Sequence, residues 1–294
     1  MNAVLGNKKA IALLLGPALL VYTLVMLVPI FWSFGYTFQS GSPLAGFHWV
    51  GLTNFRTFFD DPTAWAAVRF TIKYAVVLTA GQILAGYGLA LLYVFFLRRA
   101  SGLIRTLVFF PIILPTVAVA LLFQQIFASV PMEGPVNTIL QGVGIDPIDW
   151  FGHPATAFWV IIVMDIWRSM GFYAVLLYAG LVDIPEEIIE SARLDGAARW
   201  SLVRSIVIPL SFPVLISTVI FSINGTLKVF DSVLALTGGG PGTTTSPLTL
   251  YMFQTSFSYG DYGYGSTIAL VLTILCLVVT VAILRTNRRE GRGA

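Results

Sequence analysis

Apolar positions in this 294-residue chain do not alternate with polar ones. They gather into six long runs, over residues 11–34, 74–97, 106–127, 155–181, 206–236 and 266–284. A run of about 20 residues is enough to cross the roughly 30 Å hydrocarbon layer of a bilayer. In lipid every backbone N–H and C=O must find its partner within the segment, so each run predicts a helix. The fifth run carries Pro209, Pro213, Gly225, Lys228 and Asp231 and predicts a kinked or interrupted helix. The first run follows Lys8 and Lys9, as a secretion signal would. It is longer than the about 7–15 residues of a signal core and no A-x-A cleavage site follows, so it reads as a retained span. The expected fold class is an all-α integral membrane protein with six transmembrane helices in a single domain over 1–294.

Composition removes the soluble alternative. The chain is 57% hydrophobic and 11% charged, with a mean hydropathy of +0.85, whereas a soluble domain is about 25% charged. The net charge of +3 matters less than its distribution. Alternating six spans places Lys8, Lys9, Arg98, Arg99, Arg105, Arg193, Arg199, Arg204, Arg285, Arg288, Arg289 and Arg292 on one side. Arg56, Arg69 and Lys73 fall on the other. The positive-inside rule then puts both termini in the cytoplasm. Outer loops cover roughly 38–70, 128–154 and 237–264, and Trp49, Trp65, Trp150, Tyr259 and Tyr262 suit an interfacial belt.

Little in the sequence points to bond-making chemistry. Cys276 is the sole cysteine, His48 and His153 stand far apart, and no HExxH or CxxC occurs, which leaves a metal site without support. No G-x-x-x-x-G-K-[ST] loop is present. The cluster Gly238 to Gly242 lacks the following lysine and sits on the outer side, so ATP has no site in this chain.

The most informative stretch is the loop over 182–205. Pro185 suits the first turn of a helix, and Glu186 and Glu187 complement the positive end of its dipole. Ile184, Ile188, Ser191 or Ala192, and Asp195 recur at helical spacing, and Asp195-Gly196 signals a turn. A second helical stretch over 197–207 leads to Pro209. The expectation is a helix–turn–helix on the cytoplasmic side; a plain solvated connection is the alternative.

Glu190-Ser191-Ala192, then Asp195-Gly196-Ala197, then Ile206-Val207-Ile208-Pro209 after nine intervening residues from Gly196, resembles the EAA motif of ATP-binding-cassette (ABC) importer permeases. Ser191 stands where that pattern has alanine and Ile208 where it has leucine; the spacing is kept. The resemblance continues in Gly51-Leu52-Thr53-Asn54-Phe55, Gly134-Pro135-Val136-Asn137, Phe230-Asp231, Thr237 to Pro241 and Tyr262 to Gly265, which are similar to the carbohydrate branch of maltose and glycerol-phosphate type. It implies the type I ABC importer permease fold. It also implies that the loop over 182–205 is a coupling helix seated in a cleft of an ATPase subunit. Gly196 would give it shape, Glu190 a polar anchor and Ile188 with Ala192 an apolar face, and Ser191, Asp195 and Ala197 complete the motif.

Four charges lie within or near the ends of apolar runs. Asp165 and Arg168 are three apart, as are Lys228 and Asp231, and each pair can join along a helix face. A charge in hydrocarbon is costly, so such residues face protein or a watery cavity; internal ion pairs and a sugar cavity are both open readings. By resemblance to the maltose-type permease, sugar contacts map to Arg168, Ser169 and Phe172, then Ser222, Thr226 and Val229. Trp167, Tyr173 and Asn224 are further candidates, as side chains of the kinds that hold sugars.

The function expected is one of two permease subunits around a central path in a bacterial or archaeal cell membrane. An extracytoplasmic binding protein would deliver the sugar, and two ATPase subunits, which hold the ATP and Mg, would drive import; this chain itself would bind no cofactor. A permease for glycerol-phosphate-type or other polar solutes is the near alternative. A secondary transporter or channel, needing no ATPase, is the alternative from another class, and a membrane-embedded enzyme lacks any clustered catalytic group.

Overall fold

The computed structural model describes residues 8–97, 101–129, 133–197 and 200–290, with the backbone alone for Lys8, Ala10 and 286–290. Of the cations counted above, Arg98, Arg99, Arg199 and Arg292 lie outside the described residues, as do the side chains of Lys8, Arg288 and Arg289.

In chain order the elements are α1 (Lys8–Tyr22), α2 (Val28–Tyr36), β1 (Gln39–Ser42), β2 (Gly46–Trp49), α3 (Thr53–Asp60), α4 (Pro62–Phe95), α5 (Ser101–Phe109) and α6 (Thr116–Ile126). There follow α7 (Pro135–Gly142), α8 (Pro154–Val182), α9 (Glu186–Leu194), α10 (Trp200–Leu202), α11 (Ile208–Thr226), α12 (Asp231–Leu236), α13 (Leu248–Phe253) and α14 (Tyr262–Glu290). Among the described residues, five helical stretches are long and apolar enough to span a membrane: Ile11–Tyr36, Pro62–Phe95, Pro154–Val182, Trp200–Thr226 and Tyr262–Arg285. The bent pair Ser101–Ile113 and Thr116–Ile126 makes a sixth if taken together.

Prolines accompany several of the departures from straight helices. π-turns at Thr23–Leu27 and Val203–Val207 directly precede helices with Pro29 and Pro209 in their first positions. Proline cannot donate to the ladder and its ring crowds the carbonyl four residues back, and a widened turn relieves both. The third run, expected as one helix over 106–127, turns by 96° between its halves. Phe110–Ile113 tightens to a 3₁₀ turn around Pro111, and Leu114, just before Pro115, is extended at φ −67°, ψ 142°. A residue preceding proline is driven out of the helical region. The fifth run, expected to be kinked or interrupted, is interrupted: α11 stops at Thr226 and α12 starts at Asp231.

The chain packs as two compact units. One comprises the described residues 8–64 together with 251–273. Its hairpin β1–β2 is antiparallel, with Gln39 opposite Trp49 and Ser42 opposite Gly46. Buried Asn54 donates to the carbonyls of Thr37 (3.0 Å) and Gln39 (2.8 Å), fixing the hairpin to α3. Asp61 accepts hydroxyls from both Tyr251 and Tyr264 and the Thr63 N–H. Burial pushes the Asp61 carboxyl up, but these donors and the Ala64 N–H outweigh it and hold it below the usual carboxylate value. Burial and the bond to Asp61 push the Tyr251 hydroxyl up to about 12.

The other unit comprises 65–250 and 274–294. Its main core joins Tyr74 and Leu78 of α4, Val119 and Phe123 of α6, Phe158, Ile161 and Met164 of α8, and Val233 and Leu236 of α12. A second cluster joins Ala90, Leu177, Leu181, Leu202 and Val207 with Ala192 of α9. Gly171 lets α8 approach the end of α5, since a Cβ there would stand 2.1 Å from the Val108 carbonyl oxygen. Asn137, fully buried, donates to the carbonyls of Ala128 and Ile148 and accepts from the Ile148 N–H and the Trp150 indole.

Candidate functional site

Where α4, the α5–α6 elbow, α8, α11 and the break before α12 meet, the second unit holds a cavity of about 440 Å³. Both interruptions of the helices border it. The elbow sets Ile112 and Thr116 on its wall, and the break at 227–230 contributes Lys228, Val229 and Phe230. An unbroken helix at either place would present packed side chains instead.

Six of the side chains expected on a sugar path line this cavity: Arg168, Ser169, Phe172, Tyr173, Thr226 and Val229. Three do not. Trp167 packs into the main core, its ring 5.7 Å from that of Phe123. Ser222 is fully buried and donates to Gln82 Oε1 at 2.7 Å, with Thr79 Oγ1 at 3.1 Å. Asn224 donates to the Ile220 carbonyl and accepts from Thr280 at 3.1 Å.

The floor is a polar network. Gln82 of α4 donates to Ser169 Oγ at 2.8 Å, Ser169 donates back to the Asp165 carbonyl at 2.5 Å, and Thr79 bonds Thr226 at 3.2 Å. These groups satisfy one another, as buried polar groups must. Phe172 and Phe221 form an aromatic wall, ring centroids 5.6 Å apart.

Asp165, 3% exposed, accepts the Tyr74 hydroxyl at 2.5 Å, and its other oxygen lies 3.7 Å from Arg168 Nε. The pairing expected between Lys228 and Asp231 lacks its premise. The backbone leaves the helix between them, both side chains are exposed, and spacing of three no longer puts them on one face.

Tyr74, Gln82, Ile112, Thr116 and Phe221 line the cavity without having been singled out in the sequence. A signal existed for α4: Tyr74, Leu78 and Gln82 recur every four residues, and an amide in an apolar span is expensive unless it faces other polar groups.

The loop over 182–205 folds locally for reasons visible in its residues. Pro185 is the N-cap residue of α9, and Glu186 and Glu187 occupy its first turn. At the other end the Ala197 N–H bonds the Ala192 carbonyl and the Gly196 N–H the Arg193 carbonyl, with Gly196 at φ +89°. This is the Schellman closure, in which a residue just past the helix takes the left-handed conformation that glycine adopts without strain. The second helical stretch, expected from 197, is α10 from Trp200 and the π-turn, with 198–199 outside the described residues.

Glu190, Ser191, Asp195 and Gly196 are exposed and Ala197 is half-buried. The apolar pair expected, Ile188 with Ala192, differs in burial. Ala192 and Ile189 turn into the chain's own second core, while Ile188 is exposed. Burial against Leu181 and Leu202 fixes the helix by its inner side and leaves Glu187, Ile188, Ser191, Leu194 and Asp195 outward.

Over residues 82–290 the chain matches the protein family described as binding-protein-dependent transport system inner membrane component. It is 33% identical to the sulfoquinovosyl glycerol transport system permease protein of Agrobacterium fabrum, over 97% of this chain and 92% of that one. It is 32% identical to the trehalose/maltose transport system permease protein of Thermococcus litoralis, over 94% and 92%. Among solved structures it is similar in fold to a chain of a bacterial ABC transporter involved in import of the acidic polysaccharide alginate. The TM-score is 0.83 at 21% identity, with 96% of each chain covered.

Proposed function

The chain belongs to the family of binding-protein-dependent transport system inner membrane components, and we propose that the solute it conducts is a sugar. It is a multi-pass membrane protein and a transport subunit rather than an enzyme. The observation that carries the sugar reading is the cavity among its helices. Its volume of about 440 Å³ falls within the about 300–1,000 Å³ of small-molecule sites. Phe172 and Phe221 offer faces to a pyranose ring, and Arg168, Gln82 and Thr226 offer polar groups. The sugar-permease names of the relatives favour the same reading.

In this proposal the chain forms half of the path in a bacterial or archaeal cell membrane, with both termini cytoplasmic and a second permease subunit beside it. An extracytoplasmic binding protein delivers the sugar. Two ATPase subunits, which hold ATP and Mg, engage α9 and the turn at Gly196. The outward face of α9, anchored by Glu190, is their contact, and its rigid closure transmits their motion.

The test is ATP hydrolysis by the whole purified importer in lipid, stimulated by its binding protein. Trehalose, maltose, lactose and glycerol phosphate are compared, with and without the binding protein. The reading expects stimulation by at least one sugar. Stimulation by glycerol phosphate alone, or uptake that proceeds without the ATPase subunits, overturns it.

A further inference from the structure

At the end of α4 the apolar surface outlasts the helix. Phe96, one residue past its last turn, is 75% exposed, and Trp200, which opens the stretch Trp200–Thr226, is 67% exposed. Both rings border a groove of about 570 Å³ in the second unit. Leu91 and Phe95, one helical turn apart on α4, and Leu202 of α10 form its wall. That wall is fixed, because Leu202 belongs to the second core cluster and Leu91 and Phe95 pack against it. Contiguous exposed apolar surface of this kind marks a place that another molecule covers.

One charge stands among the described residues that line the groove, Arg193 of α9. Its side chain is exposed, and no carboxylate among the described residues pairs with it. A helix turns about 100° per residue. Arg193, two residues beyond Ser191, therefore projects from the flank opposite the outward face of Glu187, Ser191 and Asp195. An ATPase subunit seated on that outward face leaves the groove uncovered.

Position and charge together select the occupant. The apolar run of α4 stops at residue 97, and Trp200 begins the next apolar stretch, so the groove lies at the edge of the hydrocarbon. Tryptophan is enriched at that level. A fitting ligand is apolar at one end, to cover Phe95, Phe96 and Leu202, and anionic at the other, to meet Arg193. A guanidinium grips a phosphate through two parallel N–H donors. A phospholipid carries both ends, and basic pockets between spans on the cytoplasmic side bind anionic headgroups. A zwitterionic headgroup brings its own cation, which competes with Arg193 for the phosphate.

We propose that this groove binds an anionic phospholipid, with its phosphate on Arg193 and an acyl chain along Phe95, Phe96 and Leu202. That the leaflet is the cytoplasmic one rests on the orientation proposed above; the binding itself does not.

The test uses the whole purified importer in detergent. Phosphatidylglycerol or phosphatidylcholine with the same acyl chains is titrated in, and native mass spectrometry reads the affinity of the tightest-bound copy. The variants are Arg193→Gln, Arg193→Lys, Arg204→Gln, and Phe96→Ala combined with Trp200→Ala. All four altered side chains are exposed, so the complexes should assemble. Arg204 lies on the same side but does not line the groove, and its variant controls for general surface charge.

The wild type should bind phosphatidylglycerol more tightly than phosphatidylcholine. Arg193→Gln should weaken phosphatidylglycerol about fivefold, the weight of one cation at an anionic lipid surface, and leave phosphatidylcholine unchanged. Arg193→Lys should lose less, Arg204→Gln nothing, and the double aromatic variant should weaken both lipids alike. A wild type without preference, or equal losses in Arg193→Gln and Arg204→Gln, overturns the proposal. The leaflet is checked separately on Arg193→Cys in a Cys276→Ala background. Labelling by an impermeant thiol reagent outside intact cells would overturn the leaflet and the orientation it rests on, while the lipid preference is decided by the titration.

Discussion

Gly196 closes α9 at φ +89°, and a Cβ placed there meets no atom within 4 Å. Any cost of substitution within this chain is therefore backbone strain rather than a clash. For an L-residue the left-handed conformation costs about 1–2 kcal/mol, more for a β-branched side chain and less for asparagine, which tolerates it. A loss of that size reduces the population of the closed helix end about 5- to 30-fold. An ordinary exposed substitution stays within about 0.5 kcal/mol. The order of damage should thus be Gly196→Asn least, Gly196→Ala next and Gly196→Val most. Three quantities check it in the reconstituted importer: membrane insertion of this chain, recovery of ATPase subunits with it, and hydrolysis stimulated by the sugar-loaded binding protein. Insertion should be equal throughout, and stimulation should fall in the stated order. Three variants that all match the wild type would refute a coupling role for this turn. Full loss in Gly196→Asn as well as in Gly196→Val would refute the strain argument, because it would mean that the partner surface excludes any side chain there.

Val229→Trp should fill the cavity from a half-buried wall position and abolish uptake while the complex still assembles. Ser222→Trp should instead impair assembly, since Ser222 is fully enclosed with Gln82 and Thr79 and overpacking there costs about 1–3 kcal/mol or more; co-purification of partner subunits separates the two outcomes, and normal assembly of the Ser222 variant contradicts the reasoning. Asp61, held below its ordinary value, contributes stability that is complete above its unfolded value of about 3.9 and is lost as pH falls through the lower folded value. Thermal unfolding followed from pH 7 to pH 3 should show that loss in the wild type, and a smaller one in Asp61→Asn.

The membrane class and the helical stretches were legible because an apolar run of about 20 residues admits few other structures. The fourth run, expected over 155–181, is the helix Pro154–Val182, and the interruption of the fifth followed from Pro209, Pro213, Gly225, Lys228 and Asp231 together, though not its position. The elbow was not foreseen, although Pro111 and Pro115 stood in plain view. One proline in a span bends it, whereas two spaced four apart leave Leu114 extended and turn the path by 96°. Periodicity measures how apolar a segment is and not whether its ladder of hydrogen bonds is complete. The outer motifs carry a related lesson. Asn54 and Asn137 stand in them only as members of a pattern, and the structure shows both buried, with their amides spent on backbone carbonyls.

The cavity resisted sequence reading for a deeper reason. The candidates on α8 and α11, with Val229 just past α11, rested on resemblance to the maltose-type permease or, for Trp167, Tyr173 and Asn224, on residue type, and neither tells a side chain that faces the cavity from one that faces a neighbour. Ser222 and Thr226 are four apart and chemically alike, but Ser222 is sealed by Gln82, whereas Thr226 reaches the wall. Both are met by a third helix, α4, more than a hundred residues earlier in the chain: Gln82 and Thr79 enclose Ser222, and Thr79 bonds Thr226 at the cavity wall. Gln82 ties both Ser169 and Ser222 to α4, and the Tyr74 hydroxyl is donated to the Asp165 carboxylate. A polar residue in an apolar run announces that it has a partner and is silent about which one. The partner fixes whether the residue holds the fold or faces the solute, so in a membrane bundle recognition and packing are assigned by the same cross-helix hydrogen bonds.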